Sequence, residues 1–127
     1  MPERIQLRRT KGWRMPVNTV KVDRATTWGN PYQLLYSYPA KWFPAELVES
    51  LGCKVSQTEH GPFVHVRTNP QAVGLFRWWV NQDDEKQAAF REILVAKLRG
   101  KNLACWCGEG EPCHADVLLE IANSEKR

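Results

Sequence analysis

The feature that most constrains the fold of this chain is a ten-residue segment near its carboxyl end, Cys105-Trp-Cys-Gly-Glu-Gly-Glu-Pro-Cys-His114. An apolar run over 102–107, which includes the first three residues of this segment, predicts a strand. Apolar residues at helical spacing over 115–122 predict a helix directly after the segment. A short loop of glycine, glutamate and proline joins them. Because α/β proteins present ligand-binding groups where a strand passes through such a loop into a helix, this segment is the first candidate for a functional site.

The strands are predicted from alternation and from residue type. Residues 4–9 alternate between apolar and polar positions, and 19–22 are rich in β-branched side chains, so both segments are predicted to be short strands. Two further β-type runs lie on either side of the turn-forming residues 59–62, which predicts a hairpin within 53–66.

Three helices are predicted before the last one. The first covers 44–51 and the third covers 85–98. The second begins near Asn69, with this residue as its N-cap. A helix that leads directly into the strand at 102–107 is typical of a βαβ connection, which favours a parallel pairing of that strand.

Composition and charge bound the class of protein. The chain has 127 residues, 43% hydrophobic and 25% charged, which is typical of one globular domain over 1–127. It contains no apolar run near the roughly 20 residues of a membrane span, and its start lacks the apolar core of a signal peptide. We therefore expect no membrane partner and a cytoplasmic location (the host cytoplasm for a phage-encoded protein), where the cysteines stay reduced. The net charge of +4 favours anionic partners without separating nucleotides from nucleic acid.

The cysteine-containing segment permits three interpretations, and the first is a reactive thiol. Residues two apart in a strand share a face, so Cys105 and Cys107 are predicted to point the same way. Cys113 and His114 are predicted to open the next helix, where unpaired N–H groups favour a thiolate. On this interpretation Cys113 is a nucleophile or faces an anion, His114 transfers a proton, and Asp116 orients a ligand or complements the helix dipole.

The second interpretation is zinc, and the third is structural. Cys105, Cys107, Cys113 and His114 form the Cys3His set of a closed zinc site, but C-x-C in a strand is a poor chelate and adjacent Cys-His residues diverge at a helix start. In the third, the cysteines are small buried hydrophobic residues, which we favour for Cys105. We therefore expect no metal, with zinc as the alternative.

Further candidate ligand-binding residues lie in the loop Trp28-Gly29-Asn30-Pro31. Glycine permits close backbone approach, tryptophan offers a stacking face and asparagine offers a polar edge, a combination that suits a base or a ribose. Arg24, just before the loop, is a candidate phosphate ligand. A rigid turn around a buried tryptophan is the alternative.

The first fourteen residues are strongly basic. Within them Arg9, Lys11 and Gly12 form a candidate phosphate-binding loop, since arginine offers a bidentate fork and lysine a point charge. A solvated basic edge is the alternative interpretation.

These motifs resemble a known family. The loop Trp28-Gly-Asn-Pro, the run Leu103-Ala-Cys-Trp-Cys and the run Cys113-His-Ala-Asp-Val-Leu-Leu resemble a small domain-of-unknown-function family carried by tailed phages and scattered through bacteria. The resemblance covers most of the chain outside about 36–68 and implies no established activity. The final motif is also similar to that of a second small bacterial family, which implies a Rossmann-type nucleotide-binding fold by analogy.

We therefore expect a small Rossmann-like three-layer α/β sandwich with a mixed, partly parallel sheet and a β-hairpin insertion at about 36–68. Its cleft would bind an anionic, nucleotide-like small molecule. The leading hypothesis is a protein that binds a nucleotide or nucleoside derivative, with or without enzymatic action at a glycosidic or phosphate bond. The alternatives are a non-catalytic phage protein that sequesters a nucleotide signal and a zinc-stabilised nucleic-acid-binding module.

Overall fold

The computed structural model describes residues 2–23, 26–108 and 110–124. These residues contain both helices and strands, which confirms the α/β class. In chain order the elements are β1 (Arg4–Gln6), β2 (Thr19–Lys21), β3 (Ser37–Pro39), a 3-10 turn (Ala40–Trp42), α1 (Ala45–Ser50), β4 (Lys54–Thr58), β5 (Gly61–His65), α2 (Asn69–Val80), α3 (Glu85–Leu98), β6 (Asn102–Cys105) and α4 (His114–Ala122).

A three-stranded parallel sheet has the order β1-β6-β2, so the last strand in the chain is the central one. Ile5 pairs with Ala104 on one side, and Val20 pairs with Leu103 on the other. Leu103, Ala104 and Cys105 are all buried, because β6 is covered on both edges and both faces. The predicted parallel pairing of this strand is confirmed.

A second, antiparallel sheet has the order β3-β5-β4. The predicted hairpin forms its larger part, with β4 and β5 pairing across the turn that precedes Gly61. The parallel and antiparallel pairings therefore lie in two sheets rather than in one mixed sheet. The hairpin reaches the shared core through the buried side chains of Val64 and Val66 instead of through strand pairing with the parallel sheet.

Helix α2 begins with a capping box, but its N-cap is Thr68 and the prediction of Asn69 was wrong. The Thr68 hydroxyl accepts a hydrogen bond from the Gln71 backbone N–H at 3.3 Å, and the Gln71 side chain accepts one from the Thr68 N–H at 3.2 Å. The reciprocal pair satisfies two backbone donors at once, which Asn69 cannot do because it lies in the first helical position.

Helix α4 positions the candidate site. Its apolar face, which includes Val117, Leu118 and Ile121, is buried against β6, β1, α2 and α3. The burial of these apolar side chains fixes the position of α4, so its first residues lie at the end of β6. Within the described parts of the chain, no helix is long and apolar enough to cross a membrane.

We predict that Thr68→Ala lowers the free energy of unfolding by about 1 kcal/mol, because it removes the hydroxyl acceptor of the capping box. Thr68→Ser keeps that acceptor and is expected to lose less than half as much. Urea unfolding followed by circular dichroism measures both variants. Equal losses would show that the Thr68 methyl group, rather than the cap, stabilises this end of α2.

Candidate functional site

The carboxyl ends of the three parallel strands meet at one edge of the sheet. The backbone N–H of Leu7 donates to the Cys105 carbonyl at 2.7 Å, and the N–H of Val22 donates to the Ala104 carbonyl at 2.8 Å. The residues that follow each strand therefore lie side by side, and α4 begins among them. We call this set the carboxyl edge; it comprises Arg8, Arg9, Val22, Asp23, Trp106, Cys107, Cys113 and His114.

Three thiols lie together at this edge. The sulfur atoms of Cys105, Cys107 and Cys113 are all within 4.8 Å of one another, and those of Cys105 and Cys113 are 2.9 Å apart. Cys105 and Cys113 are buried, whereas Cys107 is partly exposed. The strand ends at Cys105, yet Cys107 still reaches the same side, as the spacing of two residues predicted. We call these three residues the thiol triad.

His114 lies against the triad, but a backbone group already binds its ring. Its Nε2 is 2.6 Å from the Val22 carbonyl oxygen, and its Nδ1 is 3.7 Å from the Cys113 sulfur. Because a carbonyl only accepts hydrogen bonds, Nε2 carries a hydrogen that it donates to the Val22 carbonyl, and Nδ1 faces the Cys113 sulfur. The mutually close ligand atoms thus comprise three thiols without the imidazole, so the described residues do not assemble the Cys3His set.

Arg4 is a site residue that sequence reasoning missed. Its guanidinium donates to the Glu111 carbonyl at 2.7 Å and to the Gly108 carbonyl at 3.0 Å, and lies 3.6 Å from the Asp116 carboxylate. Only 14% of the Arg4 side chain is exposed. It therefore links β1 to the loop between Cys107 and α4. In the sequence it is one of several basic residues near the start of the chain, and only the strand pairing distinguishes it from them.

Asp116 acts mainly at the helix start. One of its carboxylate oxygens accepts a hydrogen bond from the Cys113 backbone N–H at 3.3 Å, so Cys113 and Asp116 are the two ends of a capping box. The same carboxylate faces Arg4. Its position fits the predicted role of complementing the helix dipole.

The thiols of the triad have unequal acidities. Hydrogen bonds from Cys105 and Cys107 hold the pKa of Cys113 well below its usual range, with smaller contributions from His114 and the Ala115 N–H, although burial acts in the opposite direction. The pKa of Cys105 is raised, first by its hydrogen bonds to Cys107 and Cys113 and then by burial. Cys113 is therefore the thiol of the triad whose surroundings most favour a negative charge.

The pKa values of Cys107 and Arg4 also depend on Cys113. Cys107 accepts a hydrogen bond from Cys105, which acts to lower its pKa, but its hydrogen bond to Cys113, burial and the charge on Cys113 raise the pKa on balance. Burial acts to lower the pKa of Arg4, yet its hydrogen bond to the Cys113 sulfur and the charge of Asp116 raise it. Arg4 is thus the cation whose charge favours a thiolate at Cys113.

A second cluster at the carboxyl edge consists of Asp23, Trp106 and Arg9. The Trp106 indole N–H donates to Asp23 Oδ2 at 2.9 Å, and the Arg9 guanidinium lies 4.8 Å from the centre of the Trp106 ring. Lys21 Nζ lies 3.7 Å from the same Asp23 oxygen. Asp23 is only 7% exposed, and its other oxygen, Oδ1, is buried without a hydrogen-bond partner among the described residues. Trp106 is 42% exposed.

The residues predicted from the Trp28 loop lie elsewhere. Trp28 is buried with its ring centre 5.5 Å from that of Phe90, so it belongs to the core and offers no stacking face to solvent. Asn30 is also buried, where its amide donates to the Ala72 carbonyl and its side-chain oxygen accepts from the Tyr32 N–H. Both interactions fit the alternative of a rigid turn around a buried tryptophan.

Gly29 lines a separate cavity of about 370 Å³ together with aromatic side chains and Lys86. Lys11 and Gly12 are exposed in a tight turn in which Trp13 N–H donates to the Thr10 carbonyl, and Gly12 has a φ of +84°. Arg24 lies outside the described residues. Of the predicted ligand-binding residues, Arg9 and Cys107 are the ones at the carboxyl edge.

Comparison with known proteins identifies the family. Residues 5–124 match the family described as Domain of unknown function (DUF4326). The chain belongs to this family. The match spans both clusters of the carboxyl edge and confirms the resemblance to a small domain-of-unknown-function family. None of the curated proteins and none of the solved structures compared with the chain matches it.

We predict that Arg4→Met lowers the free energy of unfolding by about 2 kcal/mol, because it removes two charge-assisted hydrogen bonds from a largely buried position. Arg8→Met, at an exposed position four residues later, is expected to change it by less than about 0.5 kcal/mol. Urea unfolding measures both. Faster reaction of the triad with an aromatic disulfide reagent in Arg4→Met alone would show that the loop has loosened, and identical results for the two variants would contradict the assignment.

Proposed function

We propose that this protein binds a nucleotide-like ligand at the carboxyl edge, through Asp23, Trp106 and Arg9. The proposal is carried by one observation. Asp23 holds a carboxylate oxygen that is buried, lacks a hydrogen-bond partner among the described residues, and lies beside a half-exposed indole ring.

A buried carboxylate oxygen without a donor is costly, since desolvation of a polar group is offset only by a hydrogen bond. A ligand hydroxyl or amino group would supply that donor. In Rossmann-type folds an acidic residue near the end of the second strand binds the ribose hydroxyls in this way, and Asp23 lies just after β2. Asp23 matches that acidic residue by analogy of position, whereas the buried Oδ1 without a partner among the described residues is specific to this chain.

Trp106 and Arg9 suit the other parts of such a ligand. The Asp23 carboxylate fixes the orientation of the indole through Nε1 at the ring edge, so this hydrogen bond covers neither face of the ring. Arg9 covers one face at 4.8 Å, an arrangement in which a planar base can stack or replace the guanidinium. Arg8 and Lys11 are exposed in the same segment and add positive charge for a phosphate.

We propose binding rather than catalysis by a thiol nucleophile. Cys113, the thiol with the lowered pKa, is 1% exposed, and its sulfur contacts Cys105, Cys107 and Arg4. A nucleophile must reach the reacting atom to within about 3.5 Å, which this enclosure prevents.

After incubation with the protein, a nucleotide is therefore expected to be recovered intact by liquid chromatography, without an adduct on Cys113.

We predict that AMP, ADP or NAD raises the melting temperature and binds by calorimetry, whereas inorganic phosphate alone does not. Asp23→Asn should weaken binding about 10- to 100-fold, because the buried acceptor becomes a donor, at a cost of 1.5–3 kcal/mol for a hydrogen bond to a charged group. The melting temperature of the unliganded Asp23→Asn protein should not fall, since the amide oxygen still accepts from Trp106.

The matched control is Asp83→Asn, the same substitution at an exposed position between α2 and α3. Arg9→Gln should also weaken nucleotide binding, and Arg67→Gln, an exposed arginine after β5, should not. The proposal fails if no nucleotide or nucleoside shifts the melting temperature, or if Asp23→Asn and Asp83→Asn bind equally well.

A further inference from the structure

We propose that the thiol triad binds one thiophilic divalent ion of the zinc class through three thiolates, with a fourth coordination position on the side of Cys107. This site is independent of the proposed nucleotide site, because it uses none of Asp23, Trp106 and Arg9.

The sulfur positions fit a common ion. Zinc–sulfur bonds of about 2.3 Å place the sulfurs of a tetrahedral or trigonal site about 3.8 to 4.0 Å apart. The three sulfur atoms here are within 4.8 Å of one another, and the Cys105–Cys113 pair at 2.9 Å needs to open by about 1 Å. Cys105 lies in β6, so the shift falls to the side chain of Cys113, which precedes α4 and lies outside the sheet.

The neighbouring groups suit three protein ligands rather than four. His114 binds the Val22 carbonyl through Nε2, and the Asp116 carboxylate binds Arg4 and the Cys113 N–H. His114 and Asp116 therefore lie beside the ligand Cys113 without being ligands themselves. Groups in such positions commonly orient the ligands of a metal site. A site with three protein ligands and one further position is typical of exchangeable or catalytic zinc rather than of a closed structural site. Cys107 is partly exposed, so solvent reaches the triad from its side.

The charges also balance. Three thiolates and a divalent ion together carry one negative charge, and Arg4 contributes one positive charge in contact with Cys113. The first N–H groups of α4 add partial positive charge at the same place.

The experiment uses the 127-residue protein, purified under reducing conditions and treated with a chelator. Titration with Co²⁺ is expected to produce sulfur-to-cobalt charge-transfer absorption and the visible bands of a four-coordinate ion, saturating at one ion per chain. Zn²⁺ should displace the cobalt stoichiometrically and raise the melting temperature. Elemental analysis of the untreated protein reports which metal, if any, it carries from expression.

Two cysteine variants make the result specific. Cys107→Ser changes the partly exposed ligand, so the protein should still fold, and its affinity for Zn²⁺ should fall by at least about 100-fold, since loss of even an outer-shell partner costs 10- to 100-fold. Cys53→Ser removes the cysteine outside the triad and should bind Co²⁺ and Zn²⁺ like the parent protein. In His114→Gln the charge-transfer intensity should persist, because all three thiolates remain.

Three outcomes would overturn the proposal. The first is the absence of charge transfer in the reduced parent protein, and the second is equal Zn²⁺ affinity of the parent protein and Cys107→Ser. The third is a Cys105–Cys113 disulfide, detected by mass spectrometry, in protein that takes up no Co²⁺ even after reduction. None of these outcomes bears on the nucleotide site, whose test uses different variants.

Discussion

The central position of β6 is the constraint on which the rest of the structure depends. Backbone hydrogen bonds tie it to β1 on one side and to β2 on the other, so two strands from the first 21 residues end at the same edge as a strand that begins at Asn102. The contacts that define the site follow from this pairing. Arg4 reaches the loop after Cys107, His114 reaches the Val22 carbonyl, and Trp106 reaches Asp23.

The two clusters at this edge surround their acidic groups differently. In the first, the neighbouring thiols and the Ala115 N–H at the start of α4 favour a negative charge on Cys113, and Arg4 hydrogen-bonds to its sulfur. In the second, Asp23 is compensated by Trp106 and Lys21 through one oxygen only. A low dielectric penalises an unpaired polar atom, so the second cluster favours a ligand that donates a hydrogen bond to Asp23.

Much of the fold could be predicted from the sequence. Periodicity located α3 and the hairpin, and the helix directly before β6 indicated its parallel pairing, because these signals are local. The N-cap of α2 was misplaced by one residue, since Asn69-Pro70 and the Thr68–Gln71 capping box are competing local signals and only the geometry decides between them. Strand β3 was not predicted, because its three residues become a strand only by pairing with β5.

The sequence by itself determined that a cysteine-rich loop joins a strand to the amino end of a helix, because residue spacing and helix periodicity are encoded locally. The tertiary structure decided which distant residues meet that loop. It placed Trp28 and Asn30 in the core and brought Arg4, Asp23 and Trp106 to the carboxyl edge. The reason is physical: a side chain is buried or presented according to strand order and register, and these depend on pairing between segments that no local pattern connects.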